Sequence, residues 1–338
     1  MDDKIFGGRI SRSKIRAGDY EESMKANQIM TAQAGKMLAD LKFKSEMRNN
    51  LARYGITNDE LVKYICTESR NILKEVHSSE NTVDPHEFIS ICNLEELGTY
   101  FYNYLGGKYH RKDKLDSIVL FKLMDTVRNC FSGAAYNLLI ADYHNSIIMA
   151  RPLYESYLVY MLISENRSLI MPFLDHSSGK MLEIIVGSQE KHNEVEAYIL
   201  DETKTYLKAK FEQLKEKYGE KYFRDYGWAD KIVKSGGPDG LVSLIDIARH
   251  LGLENRDVYR ISNAFLHTTS LSWMYDESEI KQLGLAIVNE SADLMVNCLI
   301  KFIKDIGCVE SDMLQMCNAL EKLREEIKGA IEKNNTTR

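Results

Sequence analysis

The chain carries 4 prolines in 338 residues, and proline is the residue that most reliably stops a helix. Proteins ordinarily hold roughly 5% proline, so this chain has unusually few places where a long helix must end. Between those places, apolar side chains return at three- and four-residue steps, the repeat of one helix face. No segment shows a period-two strand of more than a few residues, and no fixed-length repeat is present. The fold class that follows is all-α, a multi-helix bundle, and an all-β sandwich is excluded.

The periodicity places the elements. Asn58 is an N-cap for a helix carrying Leu61, Val62, Ile65, Cys66, Ile72, Leu73 and Val76, ending near His77. A second helix runs from Phe88 to Leu105 and closes at Gly106-Gly107, and a basic loop follows over Lys108 to Lys114. Leu115 to Ile163 holds two long helices, with Pro152 kinking the second or opening a new one. Residues 190–224 read as one long solvated helix, with Lys208/Glu212 and Glu220/Arg224 spaced i, i+4. Ser235 to Gly240 is a loop in which Asp239 caps a short helix, Leu241 to Leu251; a turn at Gly252 and a helix from about Asn255 come next. Two further helices, Glu277 to Ile306 and Ser311 to Lys333, complete the pattern, the last with an apolar run suited to docking on another helix of this chain or of a partner. The organisation expected is an N-terminal extension and additional helical region over 1–107, a helical domain over 108–309, and a C-terminal helix and tail over 310–338.

Composition narrows the function classes. Hydrophobic residues at 44% and charged residues at 28% supply a core and exclude wholesale disorder. The net charge of −6 argues against coating nucleic acid through bulk charge but leaves room for a local cationic cleft. No run of about 18 apolar residues is present, so no membrane partner is expected. The acidic start, Met1-Asp2-Asp3-Lys4, is unlike a secretory signal, which makes a cytoplasmic location the expectation. The six cysteines stand singly, without zinc-ligand spacing, and are read as reduced, mostly buried thiols; no metal and no cofactor is expected.

Phosphate-loop, zinc-protease, nucleophile-elbow and dinucleotide-binding signatures are all absent. One stretch stands out. In Val258 to His267, Arg260, Asn263 and His267 fall at i, i+3 and i+7 and form a polar stripe beside an apolar face of Val258, Ile261, Ala264 and Phe265. A guanidinium carries a permanent charge in a fork suited to a phosphodiester, and an imidazole titrates near neutrality. Those groups suffice to cleave RNA through its own 2′-hydroxyl. An Arg and a His with four to six residues between them are expected about once by chance at this composition. The pattern occurs twice, at Arg260/His267 and at Arg70/His77. Spacing alone does not separate a second site from a chance match.

The wider context resembles the HEPN superfamily of all-α domains. The stretch Tyr136 to Glu155, with Arg151 and Glu155 as an R-x-x-x-E element, precedes Tyr259-x3-Asn263-x3-His267. That combination is similar to a bacterial helical family attributed to the superfamily, in which the second element reads Y-x3-S-x3-H; Asn263 here stands in place of the serine. The resemblance covers roughly residues 112–305. It implies a metal-independent endoribonuclease acting on single-stranded RNA as a homodimer or higher oligomer, in a toxin or antiphage defence setting. It also implies His267 as general acid or base, Arg260 stabilising phosphate charge, and Asn263 orienting the phosphate. Arg151 and Glu155 would pair with each other or support the site, and Tyr259 would stack a base or pack. The alternative expectation is a catalytically inactive helical module that binds a regulatory protein partner or senses a ligand.

Overall fold

The computed structural model describes residues 51–64, 89–188, 201–237, 239–254, 256–266 and 275–336. The chain divides into two compact units, Met1–Arg53 and Tyr54–Arg338. Of the first, residues 51–53 are described and are helical. Among the described residues every regular element is a helix and none is a strand, so the all-α class is observed.

The second unit opens with a helical turn over 59–64 and continues with α1 (Ile89–Tyr109), α2 (Leu115–Leu139), α3 (Tyr143–Glu165), α4 (Ile170–Ser188) and α5 (Asp201–Tyr218). After two short 3-10 turns come α6 (Leu244–Leu251), α7 (Arg256–Leu266), α8 (Glu277–Asp305) and α9 (Glu310–Thr336). The centre is α3. Asp142 caps it, its carboxylate accepting from the Asn145 amide at 3.1 Å. Buried side chains then run around most of its circumference, including Ile147, Leu153, Tyr154, Tyr157, Leu158, Tyr160 and Ile163. A helix apolar on every side is stable only when surrounded, and α2, α8, α7 and α6 all pack on it. Close approach of α2 is helped by Ser146, whose hydroxyl donates to the Ala134 carbonyl at 2.9 Å. The helix continues through Pro152 without ending; a missing amide bond costs less than exposing this much apolar surface would. α8 is long and apolar enough to cross a membrane, and in the bundle that character fills the core with Ile287, Met295, Leu299 and Phe302.

Several boundaries differ from the sequence reading. α1 does not close at Gly106-Gly107 but runs one turn further to Tyr109. The reason is tertiary: Lys108, read as part of a solvated loop, is held by Glu60 at 2.8 Å and by Asp312 at 3.3 Å, and the Tyr109 hydroxyl donates to Asp312 at 3.0 Å. The helix expected over 190–224 ends at Tyr218, because Gly219 adopts φ +83°. Glu220 then bonds Lys215 at 2.7 Å rather than the expected Arg224. α6 starts at Leu244, not Leu241, since Ser243 and Asp246 form a reciprocal capping box, while the Asp239 carboxylate accepts from the Leu241 amide in a local turn. Asn58 does cap its helix, accepting from the Glu60 and Leu61 amides at 2.9 and 3.2 Å. The rest of that predicted helix, with Arg70 and His77, lies outside the described residues. On α9, Leu320, Leu323 and Ile327 are buried within this chain, whereas Leu314 is exposed. Among the described cysteines all are free thiols, and Cys298 is fully buried.

Candidate functional site

The expected site elements meet where α6 and α7 lie across α3. α6 is short, so both ends need anchors. At its start the Asp246 carboxylate accepts from the Ser243 amide (3.0 Å), the Ser243 hydroxyl (2.7 Å), the Gly236 amide (3.1 Å) and Arg249 (2.9 Å). Burial pushes the Asp246 carboxyl up, but the bonds from Ser243 and Gly236 and the Arg249 charge outweigh it and hold it below its ordinary range. Gly236 is required for this closure, because a β-carbon there would stand 2.9 Å from the Asp246 carboxylate. At the other end Gly252 takes φ +66°, and the Leu253 amide reaches back to the Ala248 carbonyl at 2.9 Å. The Leu253 carbonyl in turn accepts from the buried Tyr154 hydroxyl at 3.0 Å, which pins the α6–α7 link to α3.

α7 buries Val258, Ser262 and Phe265. The inward meridian is therefore i, i+4, i+7 through Ser262, while Ile261 and Ala264, expected on the apolar face, are half-buried. A serine tolerates this position because its hydroxyl returns to the Val258 carbonyl at 2.5 Å. The rotation leaves Arg260 exposed and Asn263 half-buried, with the Asn263 Oδ1 buried and without a hydrogen-bond partner among the described residues. His267 lies outside the described residues.

Arg151 and Glu155 do not pair. The Arg151 guanidinium lies over the Tyr259 ring, 5.3 Å from its centre. Glu155 accepts a short bond from the Tyr226 hydroxyl. Burial first, and that bond second, raise the Tyr226 phenol well above its ordinary range. Arg151, Tyr259 and Arg260 thus form one neighbourhood, and Glu155 serves a separate bond to the segment after α5.

Between α3, α6 and α7 opens a cleft of about 310 Å³ lined by Tyr154, Leu244, Ile245, Ala248, Arg249, Glu254, Tyr259 and Arg260. Its cations differ in kind. Arg249 is engaged by Asp246 and, through Nε, by Glu254 at 3.5 Å. Arg260 has no ion-pair partner among the described residues. Sequence reasoning found Arg260 and Tyr259 but missed Tyr154, Arg249 and Glu254. The available signal was the Ser-x-x-Asp capping pattern at Ser243, which orients Arg249 three residues past Asp246. Among the described residues no group of three His, Cys, Asp or Glu side chains is placed to hold a metal ion.

Residues 118–279, a little under half of the chain, match a family of unknown function (DUF5677). The matched stretch spans most of α2 to the start of α8 and so contains the whole cleft. No curated protein and no solved structure matches the chain.

Proposed function

We propose that the chain is a metal-independent endoribonuclease of HEPN type that cleaves single-stranded RNA in the cytoplasm as a homodimer or larger assembly, serving as a toxin or antiphage effector. The observation that carries the reading is Arg260, an exposed guanidinium without an ion-pair partner among the described residues, at a cleft that also holds the Tyr259 ring. A structural arginine is normally matched by a carboxylate or stacked in place; an unmatched one beside an aromatic ring fits a phosphate and its base.

In this reading His267 takes the proton of the ribose 2′-hydroxyl or delivers one to the leaving 5′-oxygen. The 2′-oxygen bonds to phosphorus as the bond to the 5′-oxygen breaks, giving a 2′,3′-cyclic phosphate and a 5′-hydroxyl. Arg260 stabilises the charge gathered on the phosphoryl oxygens, and Asn263 orients the phosphate by donating from its Nδ2 amide. Wild-type protein in EDTA should cleave unstructured RNA to cyclic-phosphate ends. His267→Ala and Arg260→Ala should lose cleavage with unchanged unfolding midpoints, since exposed, unpaired Arg260 contributes little to stability. Undiminished cleavage by both variants would sink the assignment.

One observation favours a second reading, an inactive ligand sensor: most of the cleft lining is apolar or aromatic, which suits a small bound molecule. Absence of cleavage together with saturable ligand binding would select it.

A further inference from the structure

Resting on the ribonuclease reading, we infer that the cleft between α3, α6 and α7 is a subsite for one nucleotide of the RNA that accepts any of the four bases, the base stacking on Tyr259 and its phosphate pairing with Arg260. The volume of about 310 Å³ lies at the small end of the roughly 300–1,000 Å³ typical of ligand sites, enough for one base and its sugar but not for an extended cofactor. Leu244 and Ala248, both buried, give it an apolar lining. Tyr259 adds a half-buried ring, with Arg151 over it at 5.3 Å and the Tyr154 ring 6.4 Å away at 53°. These neighbours hold the ring in place before a ligand arrives, the kind of platform on which an unpaired base stacks.

Charge sets which way round the nucleotide lies. Three charged side chains line the cleft: Arg249, Glu254 and Arg260. Arg249, on α6, is met by two carboxylates, Asp246 at 2.9 Å and Glu254 at 3.5 Å. The α6 rim therefore carries no surplus positive charge. Arg260, on α7, has no ion-pair partner among the described residues. A phosphate is thus drawn to the α7 rim, and the base and sugar fill the apolar space toward α6.

The same accounting leaves little with which to tell bases apart. Selection at a base edge needs buried polar groups that lose their partners when the wrong base enters. Glu254 is engaged by Arg249 and has a further interaction besides, and at 32% exposure it keeps contact with water whichever base is bound. The Arg249 side chain is 54% exposed and can donate to a base, but all four bases carry an oxygen or ring-nitrogen acceptor on an edge. What remains for recognition is the face of the ring, and every base has one. Purines, with the larger face, gain modestly over pyrimidines.

Calorimetric titration of the full chain with AMP, GMP, CMP, UMP and ribose 5-phosphate tests this. The four mononucleotides should bind within about threefold of one another, purines the tighter, and each roughly tenfold or more tighter than ribose 5-phosphate, which has no base to stack. Tyr259→Ala should bring all four down to the ribose 5-phosphate level, while Tyr259→Phe, which keeps the ring, should bind as wild type does. Arg260→Ala should weaken the mononucleotides and ribose 5-phosphate by the same factor. A wider spread among the bases, ribose 5-phosphate binding as tightly as AMP, or no binding of any overturns the inference. The wild-type ranking decides the matter even if Tyr259→Ala fails to fold. RNA cleavage without mononucleotide binding would refute the subsite and leave the nuclease standing. Base-tolerant nucleotide binding without cleavage would refute the nuclease and leave the subsite.

Discussion

Asp312→Ala should cost about 3 kcal/mol of stability. The carboxylate sits at the first turn of α9 with 1% exposure, yet lies among four donors: Asn58 Nδ2 at 2.6 Å, the Tyr104 and Tyr109 hydroxyls at 3.0 Å each, and Lys108 Nζ at 3.3 Å. Removing it affects these donors unequally. Asn58 and Tyr109 are half-buried and can turn to water, and Lys108 keeps Glu60 at 2.8 Å. Tyr104 is buried, so its hydroxyl proton loses its only acceptor among the described residues, at roughly 1–3 kcal/mol. Loss of the partly screened attraction to Lys108 adds about 1 kcal/mol, well below the 3–5 kcal/mol for breaking a fully buried pair. Urea unfolding of wild type, Asp312→Ala, Tyr104→Phe and the double variant measures the coupling directly. Tyr104→Phe should cost less in the Asp312→Ala background than in wild type, because the stranded donor is removed. A cost for Asp312→Ala below about 1 kcal/mol, or additive single changes, would refute the reasoning.

The remaining tests use the same measurement. Gly179→Ala on α4 would set a β-carbon 2.3 Å from the Phe223 ring, itself buried against Phe211 and Tyr222; overpacking of roughly 1–3 kcal/mol should exceed the ~1 kcal/mol gained from helix propensity and destabilise the fold. Gly107→Ala on α1, where a β-carbon meets nothing within 4 Å, should instead raise the urea midpoint, and a loss there would contradict a helix that runs through Gly107 to Tyr109. Burial, and then the neighbouring Glu95, raise the Glu96 carboxyl to about 7. A carboxyl raised in the folded state favours folding fully below its unfolded value near 4.5 and loses that contribution as pH climbs to about 7. Glu96→Gln should therefore flatten the fall in stability across that window and be more stable than wild type at pH 8, whereas parallel pH profiles would contradict the shift.

Much of this fold is legible in the sequence because its signals are local. Asn58, Gly252 and the start of α8 are set by groups within four residues of one another, and pattern finds them. The misplaced boundaries have distant causes. α1 passes through two glycines because residues more than 200 positions away receive Lys108 and Tyr109. The inward turn of Ser262 is similarly hidden, since a serine whose hydroxyl closes on its own helix buries like a small apolar residue while scoring as polar.

The candidate site divides along the same line. Spacing put Arg260 and Asn263 on one stripe, and among the described residues Arg260 has no ion-pair partner and the Asn263 Oδ1 no hydrogen-bond partner. Spacing could not say that Arg151 and Glu155 serve different neighbours, because an i, i+4 charge pair is equally consistent with mutual attraction and with two separate tertiary contacts. Nor could it find Glu254, whose meaning depends on Arg249 folding back across the Gly252 turn. Partner accounting supplies what spacing lacks: Lys108, Arg128 and Arg249 are matched by carboxylates, and Arg151 by a ring. Arg260 has neither among the described residues. A cation that a fold does not need for itself, set at a cleft beside an aromatic ring, is therefore where a ligand's negative charge is best sought.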